Sequence, residues 1–450
     1  MTLQLRNELR FGTRALLRDN PLSQWRLRSL QRNESLDRAQ LQQLQAVLLH
    51  KTLRTAIARL PLYAHIPGDF DVAAAPEVLR TMFPIIGKET LFAQRNALYP
   101  NRGDRQPWQV PGKSSGTTGA PVTVFRSLQS LLMEQAFVKR HWAWGGYHDG
   151  MVRATLRGEL VAGFGQSKPP FWFWNRYNRQ LLVSSRHLID AHADAIIDRL
   201  AHLAPAMLQA YPSTAFTLAG LLERRQRRLQ IPFIFTSSEP LYPHQRAQIE
   251  LWLGGKVLDM YGMAERVAFA GECEHGQLHL NPDYSYVEIV DDEGRPTDDY
   301  GSVVGTTFHN RAMPLVRYTL SDRTRWKSGQ CRCGRAFPMI EFVSGKFEDC
   351  ITGGHGEPVS SSVLTFAFKN MNSICKSQVA QVGPARWEVR VVPLPGFTGS
   401  DQQRLVDNIH QLVDPHVAVT VVLRDDISNT AAGKFRWVVN EFNPSRPQEG

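Results

Sequence analysis

Residues 113–121, which read Lys-Ser-Ser-Gly-Thr-Thr-Gly-Ala-Pro, combine four hydroxyl side chains with two glycines. Backbone N–H groups exposed at glycines, together with Ser and Thr hydroxyls, can wrap phosphate oxygens at short range. Lys113 precedes the hydroxyl run, whereas the usual P-loop ends in Gly-Lys-Ser/Thr, so an ordinary P-loop NTPase is disfavoured. The stretch therefore predicts a phosphate site, with a solvated linker as the alternative interpretation.

Three later motifs carry groups that complement a phosphate site. Tyr261, Gly262 and Glu265 follow a β-like run. An aromatic ring can stack on a purine, a glycine lets the backbone approach it, and a carboxylate can hold Mg²⁺ against phosphates. Asp322 follows another β-like run, where a carboxylate can accept hydrogen bonds from both ribose hydroxyls, and Lys434 lies on a glycine turn. Each motif alone is more often structural than functional.

Four residues form a second constellation with metal-ligand chemistry. Cys273 and His279 make one pair, and Cys331 and Cys333 make another about fifty residues later. Thiolates and imidazole at four corners suit a tetrahedral, closed zinc site. His275 competes with His279 as the fourth ligand, and four metal-free side chains are the alternative.

Composition limits the class of protein. The chain has 450 residues, with 42% hydrophobic and 21% charged residues, which favours a soluble globular protein of two or three domains. A net charge of +10 favours anionic ligands, but no nucleic-acid-binding signature accompanies it. The prolines within residues 202–222 favour a buried helix pair over a membrane span. Five cysteines and no apolar run after Met1 predict a cytoplasmic protein.

Hydrophobic periodicity predicts the elements that position these motifs. Leucines at helical spacing predict a helical lead-in over residues 1–65, and interleaved helices and strands predict an α/β core over residues 66–344. Strands are expected at 232–236, 256–260, 286–290, 303–308 and 315–319, with a polar hairpin at 291–294. Residues 345–450 predict a small mixed domain, with a strand near Cys350, helices at 361–370 and 401–413, and strands at 387–392 and 417–423.

The order of the motifs resembles that of the adenylate-forming superfamily of acyl-CoA synthetases, adenylation domains and luciferases. That order is the Ser/Thr/Gly loop, Tyr-Gly-x-x-Glu, Arg-Tyr-x-x-x-Asp, Gly-Lys-x-x-Asp and a terminal Gly-Lys. Residues 60–63, 84–88, 211–213 and 331–335 resemble the phenylacetate-CoA ligase-like branch, which includes CapK-like relatives found with capsular polysaccharide genes. The resemblance covers roughly residues 40–440 and implies a large domain, 1–344, and a small mobile domain, 345–450.

The resemblance also implies a role for each matching residue. Lys434 and Glu265 would be catalytic, with Glu265 holding Mg²⁺ and Lys434 reaching the carboxylate and the α-phosphate. Asp322 would bind the ribose, helped by Arg317 or Arg335, and Glu348 would be the hinge between the domains. The remaining ATP or AMP contacts would come from Ser114, Ser115, Gly116, Thr117, Thr118, Gly119, Ser238, Glu239, Tyr261 and Gly262.

A carboxylic acid would enter opposite the phosphate loop. The candidate wall residues are more aromatic than charged, which favours an aromatic or apolar acid, although each side chain could equally belong to the core. These candidates are Trp142, Tyr147, Tyr211, Ser213, Phe235, Ser237, Gly262 and Met263.

The implied reaction is ATP-dependent formation of an acyl-adenylate, release of pyrophosphate, and transfer of the acyl group to a thiol, with coenzyme A as the first expectation. Transfer to a carrier protein or a polysaccharide precursor, and a degenerate nucleotide-binding paralogue, are the alternatives. Ala264 stands where the family usually has Thr or Ser, Ser321 replaces the usual Gly, and Lys346 replaces the usual Arg. The first two changes would each weaken nucleotide binding by roughly 1 kcal/mol. A homodimer is a further expectation.

Overall fold

The computed structural model describes most of the chain. The described residues are 3–93, 97–98, 109–113, 123–163, 165–343, 351–356, 358–359, 361–368, 371, 373–427 and 436–442. None of the helices within these ranges is both long enough and apolar enough to cross a membrane.

Three helices open the chain: α1 (Leu3–Arg18), α2 (Pro21–Arg32) and α3 (Arg38–Arg59). Asn20 and Asp37 cap the second and third helices, because each side chain accepts a hydrogen bond from a backbone N–H in the first turn. These helices lie where the leucine spacing predicts a helical lead-in. The buried side of α3, which includes Leu49, Leu53 and Ala56, packs into a hydrophobic core with residues near 313–318.

Helices and strands then alternate up to residue 340. The elements are α4 (Ala75–Met82), α5 (Lys88–Ala93), β1 (Gln109–Lys113), β2 (Thr123–Ser127), α6 (Leu128–Trp144), β3 (Arg153–Leu156), β4 (Trp172–Asn175), β5 (Gln180–Val183), α7 (Asp190–Leu203), β6 (Met207–Ala210), α8 (Pro212–Arg224), β7 (Phe233–Ser237), α9 (Pro243–Leu253), β8 (Lys256–Gly262), β9 (Phe269–Glu272), β10 (Leu278–Leu280), β11 (Ser285–Val290), β12 (Gly301–Thr307), β13 (Tyr318–Thr324), β14 (Trp326–Lys327) and β15 (Met339–Ile340).

A ten-stranded sheet organises this region, in the order β14-β15-β10-β9-β8-β7-β6-β3-β5-β4. The five central strands, β5, β3, β6, β7 and β8, are mutually parallel, and the flanking pairs are antiparallel. Helices α7, α8 and α9 connect successive parallel strands and pack on the sheet. A parallel sheet covered by crossover helices is the arrangement that interleaved helix and strand patterns predict, so the α/β class is confirmed.

Strands β11, β12 and β13 form a separate antiparallel sheet. The polar turn at residues 291–294 lies between β11 and β12, and Gly294 adopts a φ of 80°, a left-handed backbone that favours glycine.

A smaller unit follows residue 351. Its elements are β16 (Ile351–Thr352), β17 (Pro358–Val359), α10 (Ser361–Phe368), β18 (Ile374–Gly383), β19 (Arg386–Pro393), α11 (Gly399–Leu412), β20 (Ala418–Leu423) and β21 (Val438–Asn440). The four-stranded sheet has the order β20-β19-β18-β21, and both helices contribute to its apolar core.

One buried ion pair ties the opening helices to the large sheet. Arg140 of α6 is fully buried and donates to Asp283 at 2.7 Å and to the carbonyl oxygen of Leu30 at 2.9 Å. Asn33 donates to the same carboxylate at 2.7 Å. The end of α2 is therefore bound through side chains to the segment after β10.

Two predictions about elements are wrong. Residues 202–222 are not a pair of helices, because β6 occupies the centre of the sheet between α7 and α8. The strand expected at 315–319 begins only at Tyr318, since Arg317 has a left-handed φ of 45°. Leu315 and Val316 are apolar because they are buried in the core beside α3, which makes them resemble a strand in sequence.

Candidate nucleotide site and metal centre

The parallel strands bring three groups of predicted residues to one edge of the sheet. Tyr211 directly follows β6, Ser238 and Glu239 directly follow β7, and Tyr261 lies near the end of β8. Ligands in open α/β sheets bind in the crevice outside the carboxyl ends of the strands. This edge is therefore the place to expect a nucleotide.

Tyr261, Asp322 and Glu265 come together at this edge. The Tyr261 hydroxyl donates to Oδ2 of Asp322 at 2.9 Å. Burial raises the pKa of Tyr261 well above its usual value, and the nearby Asp322 and Glu265 carboxylates act in the same direction. Asp322 and Glu265 are 4% and 8% exposed, respectively. The arrangement concentrates two carboxylates and an aromatic ring, which suits a ribose, a base and a cation.

Lys88 adds a cation that the sequence analysis did not assign to the site. Ile86 forms a β-bridge with Tyr318, which places Lys88 beside the start of β13. Burial lowers the pKa of Lys88 to about 8, and the nearby Glu265 carboxylate and Cys375 thiol oppose that shift. The only sequence signal was its position after Gly87 in the Pro84 to Lys88 motif.

Two paired strands flank the predicted phosphate loop in the sequence. Residues 114–119 are outside the described residues, but their flanking strands β1 and β2 pair antiparallel, with Lys113 opposite Thr123. Arg126 of β2 covers Gly112, where a Cβ atom would lie 2.2 Å from the guanidinium carbon, and donates to the Ala264 carbonyl oxygen at 2.5 Å. Arg126 thus connects the hairpin directly to the segment that carries Glu265.

The residues after β6 and β7 form a polar rim. Ser238 has a left-handed φ of 74° and accepts a hydrogen bond from Arg157 at 3.0 Å. The Arg157 guanidinium also lies 5.0 Å from the centre of the Tyr211 ring. Glu239 accepts from the backbone N–H of Ser213 at 3.1 Å. These contacts bring Tyr211, Ser213, Ser238 and Glu239 together.

The other predicted wall residues have packing contacts. Trp142 belongs to a buried cluster with Tyr147, Phe235 and Leu258. Ser237 is buried, and the Met263 sulfur accepts from the backbone N–H of Ala268 at 3.3 Å. These contacts favour the core interpretation for Trp142, and the substrate roles of these residues stay predictions.

The two arginines that were predicted to help bind the ribose form ion pairs and hydrogen bonds with other residues. Arg317 pairs with Glu288 at 3.1 Å and donates to the Phe83 carbonyl oxygen at 3.1 Å. Arg335 donates to Glu34 and Glu274, each at 2.9 Å, and covers the Trp144 ring. Their contacts give no support to a role at the ribose, because each guanidinium already holds its acceptors.

Lys434 and Glu348 lie outside the described residues. The ends of the segment that carries Lys434 are described, and both are held by β18. Lys376 donates to Asp426 at 3.1 Å and to the Ile427 carbonyl oxygen, and Gln378 donates to the Arg436 carbonyl oxygen at 2.7 Å. Cys375, the neighbour of Lys376, is close enough to Lys88 to affect its pKa. The described residues on either side of the segment therefore contact β18, the strand that carries Cys375.

The smaller unit packs over the rim of the site. Tyr211 shares the apolar core of that unit with residues such as Val363 and Trp437. Arg186, after β5, donates to the carbonyl oxygens of Leu412 and Val413 at the carboxyl end of α11. A guanidinium there also matches the negative end of the helix dipole.

The four predicted metal ligands meet in one cluster. The ligand atoms of Cys273, His279, Cys331 and Cys333 all lie within 4.8 Å of one another. The Cys273 and Cys331 sulfurs are 3.6 Å apart, and the Cys333 sulfur is 3.4 Å from Nε2 of His279. Tetrahedral zinc with S and N ligands implies ligand separations of roughly 3.4 to 3.8 Å. The donor set and its spacing therefore fit zinc.

Surrounding contacts orient these ligands. Nδ1 of His279 lies 3.1 Å from the Phe337 carbonyl oxygen, so a proton on Nδ1 leaves the Nε2 lone pair facing the thiols. His275 contributes only its backbone N–H, 3.4 Å from the Cys273 sulfur. Burial raises the pKa of the Cys331 thiol to about 12, and the adjacent thiols strengthen that effect. A bound cation would reverse the shift, because it stabilises thiolates.

Comparisons with known proteins agree with this geometry. The profile of the CapK C-terminal domain matches residues 351–441. A phenylacetate-coenzyme A ligase of Thermus thermophilus is 28% identical over 53% of this chain and 54% of its own length. Protein CapK of Staphylococcus aureus is 23% identical over 46% of each chain. The chain thus spans about half the length of these curated relatives.

The fold recurs in a solved structure. A 2-hydroxyisobutyryl-CoA ligase, in complex with 2-HIB-AMP and CoA in the thioesterification state, superposes with a TM-score of 0.57. The match covers 91% of this chain and 92% of the ligase at 17% identity, which shows a common fold.

Proposed function

We propose that this chain is a member of the adenylate-forming superfamily, and that it activates a carboxylic acid with ATP and transfers the acyl group to the thiol of coenzyme A. The observation that carries the proposal is the hydrogen bond between Tyr261 and Asp322 beside Glu265 and Lys88. This group joins a base-stacking ring, a ribose acceptor, a cation ligand and a positive charge at one sheet edge.

In the first step a carboxylate oxygen attacks the α-phosphorus of ATP, a C–O–P linkage forms, and the bond to pyrophosphate breaks. Two anions must approach each other, so positive charge and hydrogen-bond donors lower the barrier. Lys434 and Lys88 supply the charge, residues 114–119 supply donors, and Asp322 fixes the ribose. Glu265 would hold Mg²⁺, which neutralises phosphate charge.

In the second step the thiol attacks the acyl carbonyl carbon and AMP leaves. The small unit must move to admit the thiol. We propose that a small domain of residues 345–450 rotates about Glu348 relative to a large domain of residues 1–344. We propose that Lys434 approaches the phosphates in this first orientation, and the contacts of Lys376 and Gln378 with the residues on either side of its segment support the proposal. The bonds from Arg186 to α11 must break on rotation.

Different observations support the proposed substrate acid and the proposed acyl acceptor. The aromatic character of the candidate wall residues and the phenylacetate-coenzyme A ligase relative support an aromatic or apolar acid. The CapK match favours a second candidate, delivery to a carrier protein or polysaccharide precursor in place of coenzyme A. We further propose structural zinc at Cys273, His279, Cys331 and Cys333. A cytoplasmic location and a homodimer stay predictions.

Exchange of labelled pyrophosphate into ATP, measured over a panel of carboxylic acids, tests the proposal. We expect exchange with aromatic or apolar acids, and the subsequent addition of coenzyme A should give a thioester detectable by mass spectrometry. Lys434→Ala should slow exchange by roughly a hundredfold or more, whereas Lys327→Ala, at an exposed strand residue, should not change it. Absence of exchange with every acid, together with absence of ATP binding, would refute an adenylating function.

A further inference from the structure

A basic cleft lies along α3, away from the residues of the candidate nucleotide site. It has a volume of about 400 Å³ and is lined by His50, Lys51, Arg54, Thr55, Ala58, Arg59 and Arg311. Residues 51, 54, 55 and 58 share one face of α3 because their spacing follows the helical repeat. Arg311, from the loop between β12 and β13, forms the opposite wall.

The cations in this cleft are not neutralised by the described part of the protein. Among the described residues, no carboxylate lines the cleft, and the side chains of Lys51, Arg54 and Arg311 make neither ion pairs nor hydrogen bonds. Nη1 of Arg59 is buried and has no acceptor within the same part of the chain. Buried donors without acceptors are rare in folded proteins, so this nitrogen calls for an acceptor from a ligand.

A second cleft of about 250 Å³ adjoins the first, since Lys51 and Arg311 line both. Its wall carries Trp25, Phe308 and His309, together with Arg26, and again no carboxylate among the described residues. Trp25 is 63% exposed, and Nη1 of Arg26 is buried without an acceptor in the described structure. An exposed indole beside uncompensated guanidinium groups is suited to stack on a planar base.

We propose that the two clefts together bind a phosphorylated nucleoside, with its phosphates among Lys51, Arg54, Arg59 and Arg311 and its base against Trp25. Phosphate oxygens supply the acceptors that the arginines lack, and arginine forms paired hydrogen bonds with phosphate. A cleft of 400 Å³ lies within the size range of small-molecule sites. The shared chemistry fits the nucleotide end of coenzyme A and also a nucleoside diphosphate that activates a sugar.

Isothermal titration of the full chain with three probes tests this proposal. The probes are uridine diphosphate, adenosine 3′,5′-bisphosphate and inorganic pyrophosphate. The tighter of the two nucleotides identifies the source, an activated sugar or coenzyme A. Asp322→Asn, which perturbs the candidate nucleotide site, should leave this binding unchanged, so the result does not depend on whether the proposed ligase function is correct.

Two sets of variants separate phosphate contacts from base contacts. Arg54→Glu combined with Arg311→Glu should weaken binding of all three probes at least tenfold. Arg28→Glu combined with Arg32→Glu changes the net charge equally at exposed positions of α2 outside both clefts, and should alter affinity less than twofold. Trp25→Ala should weaken both nucleotides about tenfold and leave pyrophosphate binding unchanged.

Each other outcome overturns the proposal. Absence of saturable binding by every probe up to about 1 mM, or equal weakening by the two double variants, would show that the clefts are only a solvated basic surface. Pyrophosphate binding with no gain from a nucleoside would remove the base-binding role of Trp25. Circular dichroism of each variant confirms that the fold is retained.

Discussion

Replacement of Cys331 by Ala tests the metal centre through stability. A metal bound by Cys273 and Cys331 crosslinks two positions that are 58 residues apart in the chain. Applied to a loop of this length, the chain-entropy relation for crosslinks gives about 4 kcal/mol at 25 °C. Loss of the thiol itself, which is partly exposed, should cost about 1 kcal/mol or less. The free energy of unfolding should therefore fall by roughly 4 to 5 kcal/mol.

The assay combines metal analysis with urea unfolding. Wild-type protein purified without added metal should contain about one equivalent of zinc, and Cys331→Ala should contain less than about a tenth of an equivalent. A strong chelator should lower the stability of the wild type nearly to that of the variant and should leave the variant unchanged. Cys375→Ser, at an exposed cysteine outside the cluster, should retain both zinc and wild-type stability.

Two results would refute this reasoning. The first is wild-type protein that contains no zinc as purified and has the same urea midpoint with and without the chelator. This result would show that the cluster is a group of reduced cysteines without a structural metal. A variant that keeps its zinc but loses stability would show that packing of the thiol, and not the crosslink, accounts for the effect.

Three further predictions concern the nucleotide site and its support. Burial raises the pKa of Asp259 from 3.8 to about 6, so the cost of ionising this carboxyl in the folded state grows between about pH 4 and pH 6 and is complete above pH 6. Asp259→Asn should therefore raise the free energy of unfolding by roughly 2 to 3 kcal/mol near pH 8 and by less than about 1 kcal/mol near pH 4, as urea titrations at both pH values would reveal. Asp322→Asn should raise the KM for ATP about tenfold in the pyrophosphate exchange assay through loss of a charged ribose acceptor, and an unchanged KM would contradict that role. Arg186→Ala removes two contacts to α11 and should slow adenylate formation about tenfold more than thioester formation, measured as separate half reactions, with equal effects as the contrary result.

Site residues could be predicted best from the sequence where only a few residue types can perform the required chemistry. The cluster of Cys273, His279, Cys331 and Cys333 could be predicted because few other side chains offer thiol or imidazole ligands. His279 could be preferred over His275 only in the structure, since both are the right residue type. Tyr261 and Asp322 were likewise predicted from motif order, and the fold brings them to 2.9 Å.

Residues that depend on long-range contacts could not be predicted. Arg317 and Arg335 are guanidinium groups near suitable motifs, but Glu288 and Glu34, distant in sequence, bind them. Lys88 joins Glu265 only because Ile86 pairs with Tyr318 across more than two hundred residues. Sequence periodicity reports which face of an element is buried and carries no information about which element lies opposite.

The length and composition of two strands also limited what could be predicted from the sequence. β6 has four residues, too few to show alternation, although it lies at the centre of the large sheet. β18 has ten residues, but Lys376 and Gln378 interrupt its apolar pattern. Those two side chains form hydrogen bonds with the residues on either side of the segment that carries Lys434, so polar contacts concealed the strand.

The buried pair between Arg140 and Asp283 restricts how this chain can be recombined with its relatives. Separation of a buried ion pair leaves an uncompensated charge, which destabilises a protein by about 3 to 5 kcal/mol. A chimaera that exchanges the first three helices alone would also have to preserve the carbonyl acceptor of Leu30 and the side-chain donor of Asn33 for partners that come from the other parent. The opening helices, α6 and the segment after β10 should therefore be taken from the same parent. A chimaeric protein that keeps all three together should fold.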